Sequence, residues 1–111
     1  EILSGEDHLI LPMLSIGAKG VVSVVANIMP QEMSDLISSF LNKNFAKAFD
    51  LHTKLYDVSK NMFLEGNPVT VKAAMKILKM IDNDDVRLPL VSAEQKTYEQ
   101  LTKVFKEKGI L

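Results

Sequence analysis

The chain has 111 residues, 47% of them hydrophobic and 24% charged, with a net charge of -1 and a pI near 6.1. Such a chain can bury a modest core of its own, and its lysines are scattered among acids, so no basic stripe marks a nucleic-acid or anionic-membrane partner. Cysteine is absent, which excludes disulfides, thiolate zinc sites and a Cys nucleophile and fits a cytoplasmic protein. No apolar run approaches the ~18 residues of a membrane span.

In chain order, Ile2-Leu3 reads as the end of a strand, and Ser4-Gly5-Glu6-Asp7 as the entry to a helix with its acids at the favoured end of the dipole. No basic leader precedes them, so the sequence is expected to begin within a larger protein. Leu9, Ile10, Leu11, Met13, Leu14 and Ile16 form a short apolar helix that Gly17 ends. Pro12 fits it only in the first turn. Val21-Val22-Ser23-Val24-Val25-Ala26 is β-branched and barely alternating, the pattern of a parallel strand buried on both faces. Strand, helix and strand at this spacing make a βαβ unit.

From Pro30 the period becomes helical. Met33, Leu36, Ile37, Phe40 and Leu41 share a face behind a proline at the first turn. Phe45, Phe49, His52, Leu55, Tyr56, Met62 and Phe63 form a longer inward stripe, broken at Gly66-Asn67-Pro68. Val71, Ala74, Leu78 and Ile81 define the next helix, stopped by Asp82-Asn83-Asp84-Asp85. Ser92-Ala93-Glu94-Gln95 reads as a capping box ahead of a last helix with Tyr98, Leu101 and Phe105 inward and Gly109 at its end. A two-stranded parallel sheet would leave both edges unpaired. The pattern therefore reads as the last two βα units of a barrel followed by a helical tail.

The run Leu3-Ser4-Gly5-Glu6-Asp7 resembles the strand-seven signature of the dihydrodipicolinate synthase / N-acetylneuraminate lyase family. The segment from Gly17 to Asn27 resembles that family's strand-eight signature, and Asn67-Pro68-Val69-Thr70-Val71-Lys72 resembles its Asn-Pro-x-x-x-Lys element. Arg87-Leu88-Pro89-Leu90 and the ending Gly109-Ile110-Leu111 fit as well, in order and at the right spacing. The resemblance implies an α/β fold, the C-terminal end of a (β/α)8 TIM barrel, with residues 1–44 as its last two βα units and 45–111 as a C-terminal helical extension. A whole barrel needs about 250 residues.

It also implies a lyase in which a lysine forms a Schiff base with pyruvate, usually as a homotetramer without a cofactor. That lysine and a relay tyrosine would lie upstream of residue 1, so the chain holds no catalytic residue of its own and is expected to be inactive alone. Gly5, Glu6 and Asp7 would face the second substrate at the catalytic mouth. Val22 would present its backbone carbonyl to the pyruvate-derived imine, with Ser23, Asn27 and Asn67 in support. Sialic-acid-cleaving members tend to carry an acid where this chain has His8. The resemblance therefore favours aspartate semialdehyde as the aldehyde, in lysine biosynthesis, over a 2-keto-3-deoxy sugar acid or N-acetylneuraminate. A non-catalytic helical association module is the alternative of another class.

The remaining features read as structural. Gly17-Ala18-Lys19-Gly20 lacks phosphate-loop spacing. An EF-hand counted from Asp82 would need Gly and Glu where Arg87 and Ala93 stand. His8 has no ligand partner at metal spacing, and His52 reads as a packed, hydrogen-bonded core histidine. Met29, Met33, Met62, Met75 and Met80 read as core or subunit contact.

Overall fold

A computed structural model describes residues 1–111. Its helices are α1 (Ile10–Ser15), α2 (Pro30–Leu41), α3 (Phe45–Asn61), α4 (Val69–Ile77) and α5 (Gln95–Glu107), with 3-10 turns at Asp7–Leu9 and Val25–Asn27. Two compact units divide the chain, residues 1–59 and 60–111. This division by packing falls within α3 and differs in kind from the barrel-and-extension division that the resemblance implies.

In the first unit the expected strands are cut short. Parallel pairing amounts to one bridge, Ser4 with Val21. The bonds around it run from Lys19 N to Ile2 O at 2.9 Å, Ser4 N to Gly20 O at 2.8 Å and Val22 N to Ser4 O at 2.8 Å. The βαβ order survives, with α1 in the connection, but the strand expected over 21–26 does not extend past Val22. Val24 already has helical dihedrals, φ -77° and ψ -42°, because the N–H groups of Val24 and Val25 are taken by a side chain instead of a neighbouring strand. Nor is the ladder buried on both faces: Ile2, Leu3 and Val22 are exposed.

Pro12 is the third residue of α1, in the first turn, where a missing N–H forfeits no bond within the helix. Pro30 opens α2 at its first position, as its fixed φ favours. Ile10, Leu14, Val25, Met33 and Leu36 are among the buried side chains of this unit. The aromatic stripe expected to point inward on α3 largely faces outward. Phe45, Phe49 and Tyr56 are exposed, and the buried column is Ala48, Leu55 and Val58. Both columns follow the helical period, so period alone could not choose between them.

In the second unit α4 and α5 pack together around Val69, Ala73, Ala74, Leu101, Val104 and Phe105. Phe63 is exposed there and Met62 buried. The expected capping box does not form. The N-cap of α5 is Glu94, with no side-chain cap bond of its own. The carboxylate of Glu65 accepts the Glu94 N–H at 3.0 Å and the Thr97 hydroxyl at 2.5 Å. An acceptor supplied from elsewhere in the chain therefore serves this helix end.

Four of the five helices, α3 being the exception, end by one scheme. In α5, Ile110 N bonds Phe105 O at 2.8 Å and Gly109 N bonds Lys106 O at 3.2 Å, with Gly109 at φ 67°, which is a Schellman motif. Gly17 takes the same place after α1 at φ 106°. Lys43 and Lys79 occupy it after α2 and α4, at φ 62° and 57°. The α4 helix thus ends at Ile77 and not at Asp82-Asn83-Asp84-Asp85. The Asn67–Pro68 and Leu88–Pro89 peptide bonds are cis.

Candidate functional site

The segment Ser4–Asp7 leaves the parallel bridge and enters the first 3-10 turn, and its side chains alternate in role. The buried Ser4 hydroxyl donates to Glu6 O at 2.9 Å and accepts the Glu6 N–H at 3.2 Å. These reciprocal bonds tie down the Glu6 backbone, while the Glu6 side chain stands half in solvent, at 51% relative exposure. Gly5 is exposed. A Cβ added to it would meet nothing within 4 Å, and its φ lies outside the positive range. Neither a turn nor packing within the chain requires glycine at this position.

Asp7 points the other way. It is 2% exposed, and its carboxylate accepts the Ser23 hydroxyl in a short bond, Val24 N–H at 2.9 Å and Val25 N–H at 3.2 Å. Ser23 Oγ in turn accepts the Ala26 N–H at 2.8 Å, and Asn27 Nδ2 donates to Val24 O at 3.0 Å. The sequence-derived expectation had the Asp7 carboxylate facing a substrate; both of its oxygens are engaged inside the chain. The structure thus brings Asp7 together with Ser23 through side chains and with the residues after Val22 through the backbone. Val22 itself, with its side chain exposed, is held by its N–H on Ser4 O.

His8 Nδ1 is buried without a hydrogen-bond partner, 3.6 Å from Glu6 Oε2 and beyond hydrogen-bond reach. Its ring meets Tyr56 edge-on at 6.3 Å, and His52 meets the same tyrosine at 6.0 Å. Burial, and then the neighbouring His8, hold the His52 imidazole below the usual histidine range. Asn67 belongs to the second unit, exposed, immediately before the Pro68 N-cap of α4. No group of three or more His, Asp or Glu side chains is placed to hold a metal ion.

The second unit has its own polar centre. Asp84, 5% exposed, receives Lys76 Nζ at 2.7 Å and a short bond from the Tyr98 hydroxyl. Those bonds hold the Asp84 carboxyl below the usual carboxylate range. Burial, and then the carboxylate itself, push Tyr98 up to about 12. A shallow concavity of about 440 Å³ lies along α5, lined by Tyr98, Thr102 and Lys106 among others of that helix. None of the candidate substrate-site residues Gly5, Glu6, Asp7, Val22, Ser23, Asn27 and Asn67 lines it.

Ser4 was not among the site residues expected from the sequence; Ser23 was, in support, but its capping role was outweighed by its β-branched neighbours. A serine three residues before a helical N–H is a capping pattern. No helix is long and apolar enough to cross a membrane.

Solved structures of one class of enzyme, the dihydrodipicolinate synthases, superpose on the chain. Dihydrodipicolinate synthase from Thermotoga maritima superposes with a TM-score of 0.93 at 40% identity, over 98% of this chain and 37% of that one. The Acinetobacter baumannii dihydrodipicolinate synthase, solved complexed with pyruvate, superposes at 0.91 with 33% identity, over 98% and 37%. The 4-hydroxy-tetrahydrodipicolinate synthase of Thermotoga neapolitana is 43% identical over 110 residues, 99% of this chain and 37% of that protein. Residues 1–108 match the Dihydrodipicolinate synthetase family, and the chain belongs to that family. It spans a little over a third of the length of these relatives.

Proposed function

We propose that this chain is the C-terminal part of a 4-hydroxy-tetrahydrodipicolinate synthase, a lyase that condenses pyruvate with aspartate semialdehyde. In this reading residues 1–44 are the last two βα units of a (β/α)8 barrel and 45–111 its helical extension, within an enzyme that assembles as a homo-oligomer. The exit of the parallel bridge then lies at the catalytic mouth, where barrel active sites are built. A lysine outside the chain forms the imine with pyruvate. Loss of a proton from the methyl carbon of that imine gives an enamine, whose carbon adds to the aldehyde. The chain alone is then inactive and supplies part of the pocket: Gly5 and Glu6 toward the aldehyde, and the Val22 carbonyl beside the imine.

The observation that carries this reading is Gly5 beside Glu6. The glycine has no structural reason in the chain, the space over it is open, and a half-exposed carboxylate on a tied backbone stands next to it. A close-approaching substrate accounts for both. The pyruvate complex of a relative at 33% identity supports the choice of keto acid. His8 in place of an acid favours aspartate semialdehyde over a sugar acid.

Steady-state kinetics of the full-length enzyme test it. Glu6→Gln is expected to raise the aspartate semialdehyde KM about tenfold, the effect of weakening one charge-assisted bond. Gly5→Ala should do the same with an unchanged melting temperature. An unaltered aldehyde KM in both variants would remove this end of the chain from the second-substrate site.

A further inference from the structure

We infer that Asp7 is a positioning residue, which fixes the turn after Val22 and through it the aim of the Val22 carbonyl, without touching substrate. The inference rests on the proposal that this carbonyl lies beside the pyruvate-derived imine.

The geometry separates Asp7 from its neighbour. An ionised carboxylate offers about four acceptor sites. Here a hydroxyl and two backbone N–H groups take three of them, and the group is 2% exposed. One acceptor site remains, and burial, not occupancy, keeps it from a substrate. Glu6, one residue earlier, keeps its backbone tied and its carboxylate in solvent.

Val22 sits between two anchors. Before it, its own N–H is fixed on Ser4 O at 2.8 Å. After it, Ser23, Val24 and Val25 are all bound to one carboxylate, and the Ser23 hydroxyl also receives the Ala26 N–H. The peptide that carries the Val22 carbonyl lies between these anchors and has little freedom to rotate. Without Asp7 the second anchor is lost, because a serine hydroxyl can satisfy only part of the turn. Reactive groups need placement of this kind, since small displacements cost large factors in rate.

The chemistry distinguishes Asp7→Asn from a neutral change. An amide keeps one acceptor oxygen and turns its two N–H donors toward the donors of the turn. Ser23→Ala removes the bridging hydroxyl and is the milder variant.

The test measures both KM values in the full-length enzyme for Asp7→Asn, Ser23→Ala and the double variant. Positioning predicts that Asp7→Asn raises the pyruvate KM about tenfold and leaves the aspartate semialdehyde KM within about twofold. Ser23→Ala shifts pyruvate alone, by less, and the double variant is no worse than Asp7→Asn, because both act on one turn. A raised aldehyde KM with an unchanged pyruvate KM would make Asp7 a substrate ligand and overturn the proposal. Equal losses for both substrates, adding in the double variant, would overturn it in favour of general destabilisation. Should Asp7→Asn fail to fold, the pyruvate-specific shift in Ser23→Ala decides. If the wild-type enzyme forms no pyruvate adduct on borohydride reduction, the Schiff-base reading fails by itself. Amide exchange of Val24 and Val25, expected to accelerate in Asp7→Asn, still reports on the clamp.

Discussion

Asp7 and Asp84 are both buried carboxylates, one in each unit, and they engage different partners. Asp7 accepts from two backbone N–H groups and a neighbouring hydroxyl, so it fixes the path of the main chain. Asp84 accepts from the side chains of Lys76 and Tyr98, so it ties helices α4 and α5 to the loop between them. The difference shows in what each unit leaves over. The first has an exposed glycine, an exposed acid and an unpaired bridge edge beside a rigid turn. The second closes Lys76, Asp84 and Tyr98 on one another.

Truncating the two acids should give the largest difference between the units. Asp7→Ala leaves two N–H groups unpaired, one of them buried, at about 1–3 kcal/mol each, and a total near 3–4 kcal/mol is expected from chemical denaturation. Asp84→Ala should cost less, about 2 kcal/mol, because the 44%-exposed Lys76 regains water. Equal costs would mean that burial alone, and not the kind of partner, sets the importance of each acid.

A pH series sharpens the contrast. His52 is held below its usual 6.5, so the unfolded chain binds its proton first, and first-unit stability should fall as pH drops below about 6.5. Asp84 and Glu65 are depressed in the second unit, the latter chiefly by the Thr97 hydroxyl. Their contribution holds above the ordinary 3.8 and 4.5 and is lost on further acidification. Tyr98, raised from 10.0 to about 12, contributes fully below 10 and loses that contribution as pH rises toward 12. Amide exchange followed from acid to alkali should show residues 1–59 loosening first in mild acid and residues 60–111 loosening above pH 10 as Tyr98 ionises. The reverse order would contradict the assigned partners.

The smallest effects concern helix ends. Lys43→Gly and Lys79→Gly, one in each unit, remove a side chain from left-handed backbone, and each should stabilise by about 0.5–1 kcal/mol, visible as a raised melting temperature.

These same positions show what was legible in the sequence. Gly17, Pro30 and Gly109 announced their helix boundaries because capping is local. Lys43 and Lys79 end helices without such a signal, and α4 consequently stops short of the acidic run. Val21–Ala26 read as a strand because the partner of its Val24 and Val25 N–H groups lies seventeen and eighteen residues earlier, in a side chain that composition cannot reveal. The Ser4–Asp7 segment marked the candidate site, but not that Glu6 turns out and Asp7 in. The aromatic column of α3 and its buried Ala48–Leu55–Val58 column have the same period, and only packing distinguishes them.

Intact-mass spectrometry after pyruvate and borohydride tests whether this chain contributes part of the pocket while the imine-forming lysine lies elsewhere. Reduction traps a lysine imine as a permanent mass increase. An adduct is expected on the full-length enzyme and none on the 111-residue chain. A stoichiometric adduct on the 111-residue chain itself would place the nucleophile among its own lysines and overturn the assignment of an external lysine.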